Sequence, residues 1–140
     1  MKKSLVRLAA CFILLCTLAT AQTGAAPKQE QSVPSIDGGL GPCSVEFAVK
    51  NADQTPASDA KIHVHIAYGF LGVRRLDLEV TTNMDGKARF DGLPSNLKKG
   101  LLFDATKGNK EGTAFFDPGK ACKGQHTLVL AGTAQEPEQQ

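Results

Sequence analysis

The chain has 140 residues, with 16 basic and 14 acidic side chains and 41% hydrophobic residues. That length carries one domain of ordinary size. Lys2, Lys3 and Arg7 supply three of the 16 positive charges, so the chain beyond them holds 13 basic against 14 acidic residues, and bulk basicity gives no argument for nucleic-acid binding.

The basic N-terminus is followed by an apolar run over residues 8–18, closed by the small residues Ala19-Thr20-Ala21. This is the layout of a secretory signal peptide, too short to span a bilayer, with cleavage expected after Ala21. Leu8-Ala9-Ala10-Cys11 matches a lipoprotein box, but Cys11 precedes most of the apolar run, and Cys16 follows bulky Leu15. Export to the periplasm or the medium is therefore expected, with no membrane span left after cleavage. Residues 22–42 are rich in Gln, Ala, Gly, Pro and Ser and read as a flexible linker; residues 132–140 read as a disordered polar tail.

Removing the signal takes Cys11 and Cys16 with it and leaves Cys43 and Cys122. An even pair in an exported chain is most simply a disulfide, here closing nearly the whole domain. A zinc site would want further ligands close by, and none flank either cysteine.

Between residues 43 and 131 the hydrophobic period is two. Cys43, Val45, Phe47 and Val49 alternate with Ser44, Glu46, Ala48 and Lys50. Ile62, Val64 and Ile66 alternate with Lys61, His63 and His65, and Leu76, Leu78 and Val80 with Arg75, Asp77 and Glu79. Ala88 and Phe90 alternate with Lys87, Arg89 and Asp91, and three further apolar segments lie at residues 101–105, 113–116 and 126–130. Turn residues separate them, and no segment has helical periodicity. The pattern predicts an all-β fold, a seven-stranded antiparallel Greek-key β-sandwich.

The segment Thr81-Thr82-Asn83-Met84-Asp85-Gly86-Lys87-Ala88-Arg89-Phe90-Asp91-Gly92-Leu93-Pro94 resembles the signature hairpin of the carboxypeptidase regulatory-like domains. These are transthyretin-like sandwiches grouped with carbohydrate-binding-like folds. Residues 45–50 and Ala60-Lys61-Ile62-His63-Val64 resemble the first two strands of that family. The resemblance spans residues 43–131 and implies a folding, adhesion or binding appendage, with a carbohydrate or an envelope protein as partner and no cofactor.

Catalytic signatures are missing. The sequence has no Gly-x-Ser-x-Gly elbow and no phosphate-binding glycine loop. It has no His-x-x-Glu pair and no terminal Tyr-Arg-Gly-Ser motif, which marks transthyretin-like urate-pathway hydrolases. Ring-cleaving dioxygenases on a related sandwich bind iron with two tyrosines and two histidines, and this chain has one tyrosine, Tyr68. A non-enzymatic role is expected.

Two features carry binding hypotheses. On a strand, His63 and His65 share a face, and hairpin parity makes them face Arg75, Asp77 or Glu79. Two histidines and a carboxylate would hold zinc or copper, making the chain a periplasmic metal-binding protein. The plain alternative is a solvent-facing ladder of paired charges, and Arg75 works against a cation. His126 has the parity of Leu128 and Leu130 and is expected half-buried. Asn83-Met84-Asp85-Gly86 resembles part of a calcium loop without its third acid and terminal Glu, so turn chemistry suffices.

The second feature is Phe70 and Leu71, set between Gly69 and Gly72 at a hairpin reversal. They would contact a ligand or partner, or fold back over the edge of the core, the commoner arrangement. A structural envelope component is the third reading. The absence of Trp and the single Tyr leave little for stacking on sugar rings.

Overall fold

The computed structural model describes residues 31–132, so the expected signal peptide and most of the polar tail lie outside the described residues. Eight strands follow in chain order: β1 Ser35–Asp37, β2 Cys43–Asn51, β3 Lys61–Tyr68, β4 Arg74–Thr81, β5 Lys87–Leu93, β6 Leu101–Lys107, β7 Lys110–Phe116 and β8 Lys123–Gly132. The expected faces are realised. Cys43, Val45, Phe47 and Val49 of β2 are buried, as are Ile62, Val64 and Ile66 of β3, and Ala88 and Phe90 of β5.

The strands form one continuous sheet in the order β1-β5-β2-β8-β7-β6-β3-β4. Strand β8 lies parallel to β2 over residues 123–130, then pairs with β7 only through Ala131 and Gly132. The sheet turns at this crossover and wraps until its edge strands β1 and β4 come into contact. The result is a nearly closed, barrel-like sheet around one core, with loops gathered at its two ends.

The seven-stranded antiparallel sandwich is thus corrected in two respects. Among the described residues there are eight strands, and two pairings, β1–β5 and β2–β8, are parallel. The extra strand, Ser35–Asp37, lies inside the segment read as a linker. Three residues are too short to display alternation, and the strand is fixed by pairing with Arg89–Asp91 and by Gly38 N–H donating to Asp91 O (2.9 Å). The parallel pairings escaped because periodicity reports which face is buried and says nothing about the neighbouring strand.

Phe47, Phe90 and Phe103 form the centre of the core, with ring centroids 4.7 Å apart for Phe47–Phe103 and 5.0 Å for Phe90–Phe103. Thr82 is the buried polar residue that ties the long β2–β3 connection down. Its hydroxyl donates to Ala57 O (2.6 Å) and accepts from Ala60 N–H (2.9 Å), so it is fully paired inside the apolar core. In the β4–β5 turn, the Asn83 side-chain oxygen accepts from the backbone N–H groups of Asp85 (3.1 Å) and Lys87 (2.9 Å). That oxygen serves the turn itself, as the sequence led us to expect.

Candidate functional site

The direction of each strand sorts the loops. Residues 38–42, 69–73, 94–100 and 117–122 all lie at one end, with the Cys43–Cys122 disulfide. Residues 52–60, 82–86 and 108–109 lie at the other. The disulfide closes a separation of 79 residues and joins the start of β2 to the residue before β8. These two strands also pair in parallel with each other, so the bridge and the ladder hold the same two elements.

The β3–β4 hairpin projects its reversal from the disulfide end. Phe70, Leu71 and Gly72 form a single 3-10 turn, closed by Gly72 N–H to Gly69 O (3.2 Å). Gly69 and Gly72 have φ of 79° and 68°, as their type permits, but Leu71 also sits in the left-handed region at φ 56°. The turn does not fold back on the core. Phe70 is 83% exposed, Leu71 77% and Val73 74%, which overturns the core-capping arrangement. The reason is geometric: the left-handed Leu71 between two glycines carries the chain through a tight reversal and directs these side chains away from the strands behind them.

The histidine pair lies on the outer face of the same hairpin. The register sets His63 opposite Glu79 and His65 opposite Asp77, as parity required, and places Asp104 of β6 on the other side of His63. His65 Nδ1 donates to Asp77 Oδ1 at 2.7 Å, and His63 Nε2 lies 3.2 Å from the same oxygen. The hydrogen bond from His65 holds the Asp77 carboxyl below its ordinary range, against a smaller opposing effect of desolvation, with support from the charges of both histidines and a hydrogen bond from His63. Both rings thus converge on one carboxylate oxygen rather than on a shared open point. Among the described residues no group of three or more His, Cys, Asp or Glu is placed to hold a metal ion.

Tyr68 and His126 are directed elsewhere. Tyr68 packs against the core from the inner side of β3, the face opposite His63 and His65. His126 is half-buried on β8, with its ring 5.7 Å from Phe116 and 6.0 Å from Phe47. The tyrosine and the three histidines therefore do not converge. Shallow surface grooves of about 450, 500 and 680 Å³ open beside Asp104 and Glu111, beside Glu46 and Arg89, and beside Asp53 and Lys107. None of these three is lined by a histidine or cysteine.

Sequence reasoning singled out Phe70 and Leu71 but missed Val73 and the charge around them. Arg74 and Arg75 open β4, Lys98 and Lys99 lie in the β5–β6 loop, and Lys120 and Lys123 flank the second disulfide cysteine; all six are exposed. These residues are scattered along the chain, so only the strand directions bring them to one end.

No family model matches the chain, and no curated protein matches it. Among solved structures, it is similar to the catechol 1,2-dioxygenase of Acinetobacter sp. ADP1 inhibited by bound mercury, with a TM-score of 0.50 and 11% identity over 72% of this chain and 59% of that one. A second similar structure is the catechol 1,2-dioxygenase of Pseudomonas arvilla C-1, with a TM-score of 0.49 and 12% identity over 76% of this chain and 60% of that one. The chain thus spans about three fifths of these dioxygenase chains, and at 11% identity its likeness to the Acinetobacter enzyme is one of fold.

Proposed function

We propose that the chain is an exported, non-catalytic binding module that engages a partner at the cell envelope through the hairpin tip at its disulfide end. The observation that carries this reading is the outward projection of Phe70, Leu71 and Val73. Large apolar side chains at a loop tip are normally withdrawn into the core or replaced by polar residues. Here a backbone conformation unfavourable for leucine keeps them in solvent, a local cost that a contact surface would explain.

The disulfide supports export, since such bridges persist in oxidising compartments. The resemblance to carboxypeptidase regulatory-like domains supports an appendage role. The separation of Tyr68 and His126, on the core side, from His63 and His65, on the outer face, supports a non-enzymatic reading over a dioxygenase-like one. A sugar ligand is less well served than an apolar partner, because the tip offers one aromatic ring, Phe70, beside two aliphatic side chains.

The test is the double variant Phe70→Ser with Leu71→Ser in the exported chain. Its melting temperature should stay within a degree or two of the wild type, because neither side chain is buried, while association with the envelope fraction is lost. A marked drop in melting temperature, or unchanged envelope association, would overturn the reading.

A further inference from the structure

The loops of the disulfide end carry Lys98, Lys99 and Lys120, and the first residues of the adjoining strands add Arg74, Arg75 and Lys123. The single acid in those loops is Asp117, which accepts from Gly119 N–H (3.0 Å) and lies 3.7 Å from Lys120 Nζ. Asp37 and Asp91, one step deeper on β1 and β5, are tied to Gly39 N–H (2.7 Å) and Arg89 Nε (2.8 Å). Asp77 is taken by the histidines. Among the described residues, Arg74, Arg75, Lys98, Lys99 and Lys123 form no ion pair. The loops of the opposite end hold Asp53, Asp59 and Asp85 and no basic residue, while the strand ends adjoining them carry Lys61, Lys87, Lys107 and Lys110. The loops of the two ends therefore differ in the sign of their charge, and the end with the basic loops also bears the apolar tip.

Resting on the binding-module reading, we infer that the partner is an anionic phospholipid surface, which the disulfide end meets with Phe70, Leu71 and Val73 inserted among the headgroups and the basic residues on the phosphates. A convex wedge of three apolar side chains is the form that enters a lipid interface, and a basic cluster supplies the second signal that stable peripheral binding needs. The distribution of charge favours a bilayer over a protein pocket. Arg74 and Arg75 are successive strand residues and leave opposite faces of the hairpin, while the lysines belong to two other loops. A plane of phosphates meets all of them at once; a protein pocket would need acids on every side of the tip.

The experiment is sedimentation of the exported chain, after leader removal, with vesicles of phosphatidylglycerol and phosphatidylethanolamine, and with phosphatidylcholine vesicles as the neutral comparison. Binding is expected to the anionic vesicles, weakened by added salt. It should fall about tenfold or more in Arg74→Ala with Arg75→Ala, and be lost in Phe70→Ser with Leu71→Ser, each variant keeping the wild-type melting temperature. Failure to bind anionic vesicles, equal binding to neutral ones, or undiminished binding by the tip variant overturns the inference. If vesicles fail while tip-dependent envelope association persists, the partner is a protein or glycan and the binding-module reading stands; if that association is also missing, both fall.

Discussion

Gly86 and Val49 are locked together where the β4–β5 turn meets the neighbouring strand β2. Val49 N–H donates to Gly86 O (2.7 Å), and a Cβ on Gly86 would overlap the Val49 carbonyl oxygen. Gly86 also has φ of 71°, where an L-side chain is strained. Gly86→Ala therefore combines a backbone penalty of about 1–2 kcal/mol with a clash against immobile backbone. Chemical denaturation should show a loss of at least about 2 kcal/mol. A loss below half of that would mean that the β4–β5 turn yields more easily than its contacts imply.

The disulfide is checked by thiol labelling. In the denatured, unreduced chain beginning at residue 22, neither Cys43 nor Cys122 should react. Replacing both with serine should cost about 2–5 kcal/mol, since a bridge across 79 residues restricts most of the unfolded domain. Full labelling of both cysteines would contradict the pairing.

Phe103 meets both Phe47 and Phe90 at the centre of the core. Phe103→Ala should lower unfolding stability by about 3–5 kcal/mol, the usual result of emptying a packed aromatic site. An effect under 1 kcal/mol would show that the ring cluster is not the core's centre of mass.

The Asp77 carboxyl is depressed from its ordinary value of 3.8, chiefly by the hydrogen bond from His65. A depressed carboxylate contributes stability that is present above its unfolded value and lost as pH falls through its lower folded value. Wild type should therefore exceed Asp77→Asn in stability at mildly acidic pH, and the two should converge as the solution is taken below that window. Carboxyl NMR titration should place the Asp77 midpoint below 3.8 and move it back upward in His65→Ala. A midpoint at or above the ordinary value would contradict the geometry.

The barrel's buried faces were legible from sequence because alternation is a local signal. Val45, Phe47 and Val49 announce their common side within five residues, and His63 and His65 could be placed opposite Asp77 and Glu79 by parity alone. What was illegible is non-local. Nothing in Ser35–Asp37 marks a strand, because its identity comes from the β5 backbone beside it. Nothing in Lys98 or Lys120 marks a shared surface until strand directions bring their loops to one end. For Phe70 and Leu71 the sequence identified the right residues and left their direction open, since a glycine-flanked turn can fold inward or outward and only the backbone angles of the turn decide.

The central claim, that the disulfide end is the contact surface, is tested most directly by site-specific photo-crosslinking in intact cells. A photoreactive side chain at position 70 is compared with one at position 110, at the opposite end of the barrel. The expected result is efficient crosslinking to an envelope component from position 70 and little or none from position 110. Equal crosslinking from both positions, or none from position 70, would contradict it.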